Sequence, residues 1–248
     1  MAVVLETEGL TKTFGGVLAV DGVSVAVAPG QIVGIVGSNG AGNTTFVNLV
    51  TGYLKPDRGR IAYLGRDITG EPPREVCRLG IARSFQIPQI YASLTVLENV
   101  LIALAARERA TLRAWAPLRT PARVEEALAL LEPFGLTEHA GRPVSELPEG
   151  GLKLLDIALA GALEPRLLLL DEPTSGVSSK EKFAVMDTLV RILRARGVTV
   201  IFVEHDMDVV TGYAERVLAF SEGKILADGP AAAVLADPAV RKAVLGWA

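Results

Sequence analysis

The chain has 248 residues, enough to bury one large α/β core or two unequal lobes. Half of its residues are hydrophobic and its mean hydropathy is +0.36, yet charges and prolines interrupt every apolar run before the roughly 18 residues a membrane span needs, so the chain is not expected to cross a bilayer. With 25 basic against 28 acidic residues, a formal net charge of −3 and no dense Lys/Arg block, the expectation is no nucleic-acid partner. The opening MAVVLETEGL lacks the basic and then apolar regions of a signal peptide, and the single Cys77 has no internal partner, so a reducing cytosol is expected.

In chain order, VSVAVAPGQIVGIVG (Val23 to Gly37) is rich in β-branched residues and reads as strands. It runs into GSNGAGNTT (Gly37 to Thr45) and then a helical run, FVNLVTG. From Gln86 to about Leu163 strand-like runs vanish, and helical stretches separated by Pro and Gly take over. They include VEEALALLEPFG (Val124 to Gly135) and an arginine- and proline-bearing segment from Arg107 to Pro121. This reads as a helical subdomain inserted into a sheet domain. LLLLD (Leu167 to Asp171) and VTVIFVEHD (Val198 to Asp206) read as strands buried on both faces. Between them EKFAVMDTLVRILRARG (Glu181 to Gly197) is helical and stops at a glycine suited to a C-cap. Alternating strand and helix implies a parallel sheet.

The loop is one residue away from the phosphate-cradling pattern GxxxxGK[ST]. Gly37, Gly40 and Gly42 let backbone N–H groups curl around an anion, and the following helix points its N-terminus at the same place. Thr44 is positioned to put its hydroxyl on Mg²⁺. Asn43 stands where the pattern has lysine. Its amide can donate a hydrogen bond, but it carries no charge and its stem is shorter. Further along, LLLLDEP ends in two carboxylates, of which Asp171 suits Mg²⁺ and Glu172 suits an attacking water; alone, the pair reads equally well as two solvated acids. His205 closes the next strand at the edge of a parallel sheet where ligand sites form, although a single histidine there is more often structural. Gln86 marks a strand boundary, where a glutamine is ordinarily just solvated.

In order, these segments resemble the ATP-binding subunits of ABC transporters over nearly the whole chain. Phe14 falls at the adenine-stacking position, with packing on the sheet as its other role, followed by the phosphate loop (Gly37, Ser38, Asn39, Gly40, Ala41, Gly42, Asn43, Thr44 and Thr45) and Gln86 at the Q-loop. LPEGG (Leu147, Pro148, Glu149, Gly150 and Gly151) falls at the signature, and LLLLDEP and the switch His205 follow. SFQIPQIYASLTVLENV, VEHDMDVV and the tail ILADGPAAAVLADPAVRKAVLG are similar to the branched-chain amino acid importer branch, with the urea importers near. The resemblance implies a P-loop NTPase (RecA-like) parallel-sheet core with an N-terminal antiparallel β portion over residues 1–85 and 164–248, and the inserted α-helical subdomain over 86–163.

The resemblance also implies ATP and Mg²⁺ as cofactors, the metal held by Thr44, Gln86 and Asp171, and catalysis by Glu172, His205 and Gln86. Two such domains pair head to tail, as a homo- or heterodimer, so the signature of one meets the ATP of the other. Permease subunits, and through them a solute-binding protein, complete the assembly on the inner face of the cell membrane. In the family a groove beside the Q-loop receives a permease helix, for which this chain offers Ile87, Ile90, Tyr91 and Leu94 as apolar anchors, some of them exposed in the isolated chain; packing inside the helical lobe is the alternative for all four. The chain departs from the family at Asn43, Pro148, Gly151 and Ser178, and Asn43 is the serious departure because a missing preorganised donor costs roughly 10²- to 10³-fold in rate. Two expectations follow: an importer ATPase subunit, or a nucleotide-binding regulatory subunit that hydrolyses little or no ATP. A soluble ABC protein of translation or repair fits less well, since tandem ATP domains or long coiled-coil insertions are missing from this sequence.

Overall fold

The structure is a computed structural model that describes residues 2–84, 90–108 and 117–245. The N-terminal part is antiparallel: β1 (Leu5–Phe14), β2 (Val17–Val27), β4 (Arg58–Tyr63) and β5 (Arg66–Asp67) form a four-stranded sheet in the order β2-β1-β4-β5. The run Val23 to Gly37 is two strands in two sheets, because the turn at Pro29 and Gly30, with Gly30 at φ 72°, ends β2 and redirects the chain into β3 (Ile32–Gly37).

β3 lies in a six-stranded sheet of order β10-β9-β3-β8-β7-β6. Its members are β6 (Ile81–Ser84), β7 (Leu167–Asp171), β8 (Thr199–Val203), β9 (Arg216–Ser221) and β10 (Lys224–Pro230). All neighbours are parallel except β10, which turns back antiparallel onto β9. The continuous apolar runs follow from this position. Val33, Ile35, Leu167, Leu169, Ile201 and Val203 face one core with the antiparallel sheet, while Ile32, Val36, Leu168, Leu170, Val200 and Phe202 face the other with the helices.

The helices are α1 (Asn43–Val50), α2 (Pro73–Arg78), α3 (Val96–Arg107), α4 (Pro121–Leu131), α5 (Glu149–Gly161), α6 (Lys182–Ala195), α7 (Met207–Tyr213), α8 (Ala231–Ala236) and α9 (Pro238–Leu245). Between β6 and β7 the described elements are helical. α3 begins with a reciprocal capping box between Thr95 and Glu98, and α4 with a Thr120 cap and Pro121 in the first turn. α6 ends at Gly197, φ 64°, where Val198 N–H bonds to the Leu193 carbonyl and Gly197 N–H to that of Arg194, a Schellman closure. No helix among the described residues is long and apolar enough to cross a membrane.

Candidate functional site

The site gathers at the carboxyl ends of the parallel strands, where every βα connection emerges on the same side of the sheet. β3 delivers the phosphate loop. Gly40 has φ 81° and Gly42 φ 109°, and a methyl on Gly42 would lie 2.4 Å from the Ala19 carbonyl, so both conformation and space demand glycine there. The first helical bond of α1 runs from Phe46 N–H to the Gly42 carbonyl, which leaves the N–H groups of Asn43, Thr44 and Thr45 without a helical acceptor. Ser38, Asn39 and Gly40 are exposed, Ala41 and Gly42 buried, Thr44 exposed and Thr45 half-buried. With β9, β10 and Lys242 of α9, the outer rim of the loop lines an open cavity of about 540 Å³.

Asn43 is 6% exposed and folds back over the loop rather than out of it. Its Nδ2 donates a long 3.5 Å hydrogen bond to the Gly37 carbonyl, and its buried Oδ1 has no partner. A methyl on Gly37 would be 2.7 Å from that oxygen, so Gly37 provides the space the amide occupies. The cradle is intact in backbone and lacks its cation. The N–H groups at the helix start fit an anion in the curl, whereas the unpartnered Asn43 Oδ1, an acceptor, does not contribute to holding one.

β7 delivers Asp171 and Glu172. The Asp171 carboxylate is met at 2.6 Å by Arg83 of β6, each side chain 8% exposed, and Arg83 also donates to Asn48 on α1. This pair ties the metal-suited carboxylate to the helix that follows the phosphate loop. Glu172 has a left-handed φ of 48°, uncommon for a residue with a Cβ. Its N–H still bonds to the Val203 carbonyl, and its own carbonyl accepts from the buried Lys153 of α5. The turn carries its carboxylate to 3.2 Å from His205 Nε2, so the two residues read from separate segments meet at the strand ends. Thr44 and Asp171 are hard oxygen donors that fit Mg²⁺, whose shell is otherwise completed by phosphate oxygens and water.

Phe14 ends β1 with 46% of its surface exposed, and Lys12 Nζ lies 5.6 Å from its ring centre. The ring is therefore not packed away on the sheet. Gln86 and Ile87 lie outside the described residues. Of the other groove residues, Tyr91 is 58% exposed while Ile90 and Leu94 are half-buried.

The signature segment begins α5 on the helical side. Leu147 is buried and Pro148 is the N-cap, its carbonyl taking the first helical bond from Leu152 N–H, so the N–H groups of Glu149, Gly150 and Gly151 remain available at an exposed helix start. Glu149 covers Gly176, φ 81°, and a methyl on Gly150 would lie 3.5 Å from Val185, so the signature sits against the turn leading to Ser178. The Ser178 hydroxyl donates to Glu181 at 2.7 Å.

Sequence reasoning missed Arg83, Lys153, Thr174 and Glu204, all of which bear on these residues. For three of them the signal was present as polar residues inside apolar segments: Arg83 in GIARSF, Lys153 in LKLLDIALA and Glu204 in VIFVEHD; Thr174, in DEPTSG, carries no such signal.

Comparison with known proteins agrees with this geometry. A family model described as "ABC transporter" matches residues 20–175. A probable branched-chain amino acid transport ATP-binding protein LivG of Archaeoglobus fulgidus is 36% identical over 98% of this chain and 95% of its own length. The high-affinity branched-chain amino acid transport ATP-binding protein BraF of Pseudomonas aeruginosa is 36% identical over 99% and 98%. The crystal structure of the ADP conformation of MJ1267, an ATP-binding cassette of an ABC transporter, superposes with a TM-score of 0.89 at 34% identity, covering the whole of both chains. Strand order, phosphate loop and full-length similarity agree, and the chain belongs to the ABC transporter family.

Proposed function

We propose that the chain is the ATP-binding subunit of an ABC importer for branched-chain or related amino acids, coupling Mg-ATP binding and hydrolysis to permease motion. The observation that carries this reading is the meeting of Glu172 and His205 at the strand edge next to an intact phosphate cradle. The substrate class is supported by the relatives just described.

In this reading the N–H groups of the loop bind the β- and γ-phosphates, and Phe14 stacks on the adenine. Thr44 and Asp171, with Gln86, would hold Mg²⁺, which would supply neutralisation of phosphate charge. Glu172 accepts a proton from the attacking water, and His205 orients Glu172 and faces the γ-phosphate. The helix start at Glu149 to Gly151 completes the site of a second subunit, so the working form is a dimer. Tyr91 docks the permease: its backbone is pinned by Asn99 through two hydrogen bonds while its ring stays in solvent.

The test is reconstitution with the permease subunits. Wild type should support ATP-dependent uptake of radiolabelled leucine, and Tyr91→Glu should keep nucleotide binding and thermal stability but lose membrane recruitment. Normal recruitment of a folded Tyr91→Glu protein would place the permease contact elsewhere. If neither the chain nor its Asn43→Lys version turned over ATP, the hydrolytic reading would fall.

A second reading is favoured by one feature, the neutral Asn43 folded into the cradle. In it the chain closes on ATP as a regulatory subunit and its partner contributes the working loop. Nucleotide binding without turnover, combined with hydrolysis only in a mixed dimer, would select it.

A further inference from the structure

We propose that Glu204 is a positioning residue that sets the geometry of the Glu172–His205 pair. The inference rests on the reading of that pair as the hydrolytic machinery. Glu204 follows β8 and is 4% exposed, a costly place for a carboxylate unless its oxygens are hydrogen-bonded. Both oxygens are used. Oε1 accepts from Thr174 N–H at 2.9 Å and from the Thr174 hydroxyl at 2.6 Å, while Oε2 accepts from His205 N–H at 3.2 Å. None of these donors is a charged side chain. The Glu204 backbone is itself fixed, its N–H bonding to the Ile35 carbonyl of β3 at 3.2 Å.

The two oxygens thus grip two different chain segments. One leaves β7 through Glu172, Pro173 and Thr174, and the other leaves β8 through His205. The ring closes where Glu172 Oε1 meets His205 Nε2 at 3.2 Å. Ser175 N–H bonds to the Glu172 carbonyl, so Thr174 sits inside a tight turn that moves as a unit with Glu172. Holding Thr174 therefore holds the turn that aims the Glu172 carboxylate, and holding the His205 amide aims the imidazole at it. A residue serving only to stabilise the strand ends would be removable without altering the contact between the pair, whereas the bridge predicts that the contact depends on it.

The difference is measurable because the chain has two histidines, and a His139→Gln background leaves His205 as the only imidazole in an NMR spectrum. Three variants are compared there: Glu204→Gln, which keeps shape and one acceptor but turns an amide against the His205 N–H; Thr174→Val, which removes only the hydroxyl; and Glu172→Gln, the reference for a lost pair. The His205 ring resonances of Glu204→Gln should move toward those of Glu172→Gln, and those of Thr174→Val less far in the same direction. In an Asn43→Lys chain, Glu204→Gln should lower ATP turnover about tenfold or more with KM within about twofold, the pattern of a misaimed reacting group. Unmoved His205 resonances in a folded Glu204→Gln protein would overturn the proposal. Should that variant not fold, unmoved resonances in Thr174→Val would do the same. Absence of turnover in the Asn43→Lys parent would instead sink the hydrolytic reading, and the resonances would still decide whether Glu204 sets the pair.

Discussion

The phosphate loop and the carboxylate edge stand at the ends of strands in one parallel sheet, β3 beside β8 and β8 beside β7, but they hold their chemistry in different parts of the chain. The loop presents backbone N–H groups, and its shape is guarded by glycines, by conformation at Gly40 and by both conformation and the Ala19 carbonyl at Gly42. The lysine of the general pattern is a side chain that the backbone shape does not require, and this chain has Asn43 at its place. The edge presents side chains, and neighbours hold them in place: Asp171 is met by Arg83, Glu172 by His205, and the His205 backbone N–H by Glu204. The loop here lacks a charged side chain and keeps its curl, while at the edge the contacts that place the side chains are also those on which the proposed chemistry depends.

The largest expected effect sharpens that contrast from the edge. In an Asn43→Lys chain, Glu172→Gln should reduce ATP turnover by roughly 10²-fold or more, the size expected for losing a proton acceptor, with nucleotide affinity retained. Equal turnover in the two proteins would show that Glu172 does not serve the water. Next, Asn43→Lys alone should raise turnover at least about tenfold, given the weight of one donor to developing charge, while the melting temperature without nucleotide changes little. Brisk turnover by the native chain, unchanged in the variant, would mean that another cation has taken the lysine's place. Third, if Thr44 and Asp171 hold Mg²⁺ on the γ-phosphate side as proposed, removing the metal with a chelator should weaken ATP binding several-fold and ADP binding less; equal losses for both nucleotides would displace the metal from that side.

The smallest effect lies just beyond His205. Burial acts against the Asp206 carboxylate, yet its pairing with Lys182 and the N–H groups of Val209 and Asp208 hold it below the usual carboxylate range. A carboxyl lowered on folding adds stability that is fully present above its unfolded pKa, about 3.9, and is lost as pH falls through the folded value. Asp206→Asn keeps an N-cap for α7 but loses the ion pair, so its melting temperature should be slightly lower than the parent's at pH 7, and the gap should close toward pH 3. A gap that persisted in acid would assign the effect to packing.

The sequence by itself marked the central strands β3, β7 and β8 and the loop suited to an anion. LLLLDEP and VTVIFVEHD announce doubly buried strands because an unbroken apolar run suits a sheet covered on both sides, and GSNGAGNTT announces an anion cradle because its glycines fall where the chain must curl. The order of these segments was enough to indicate the family. Local pattern could also mark Asn43 as a missing charge. It could not show that the amide folds inward onto Gly37, that Arg83 occupies Asp171, or that Glu204 joins Thr174 to His205. Those contacts span 6, 88 and, for Thr174 and Glu204, 30 positions of chain. The long ones exist only because parallel strands β6, β7 and β8 bring distant carboxyl ends side by side, and neither propensity nor periodicity encodes which side chains then share a buried oxygen.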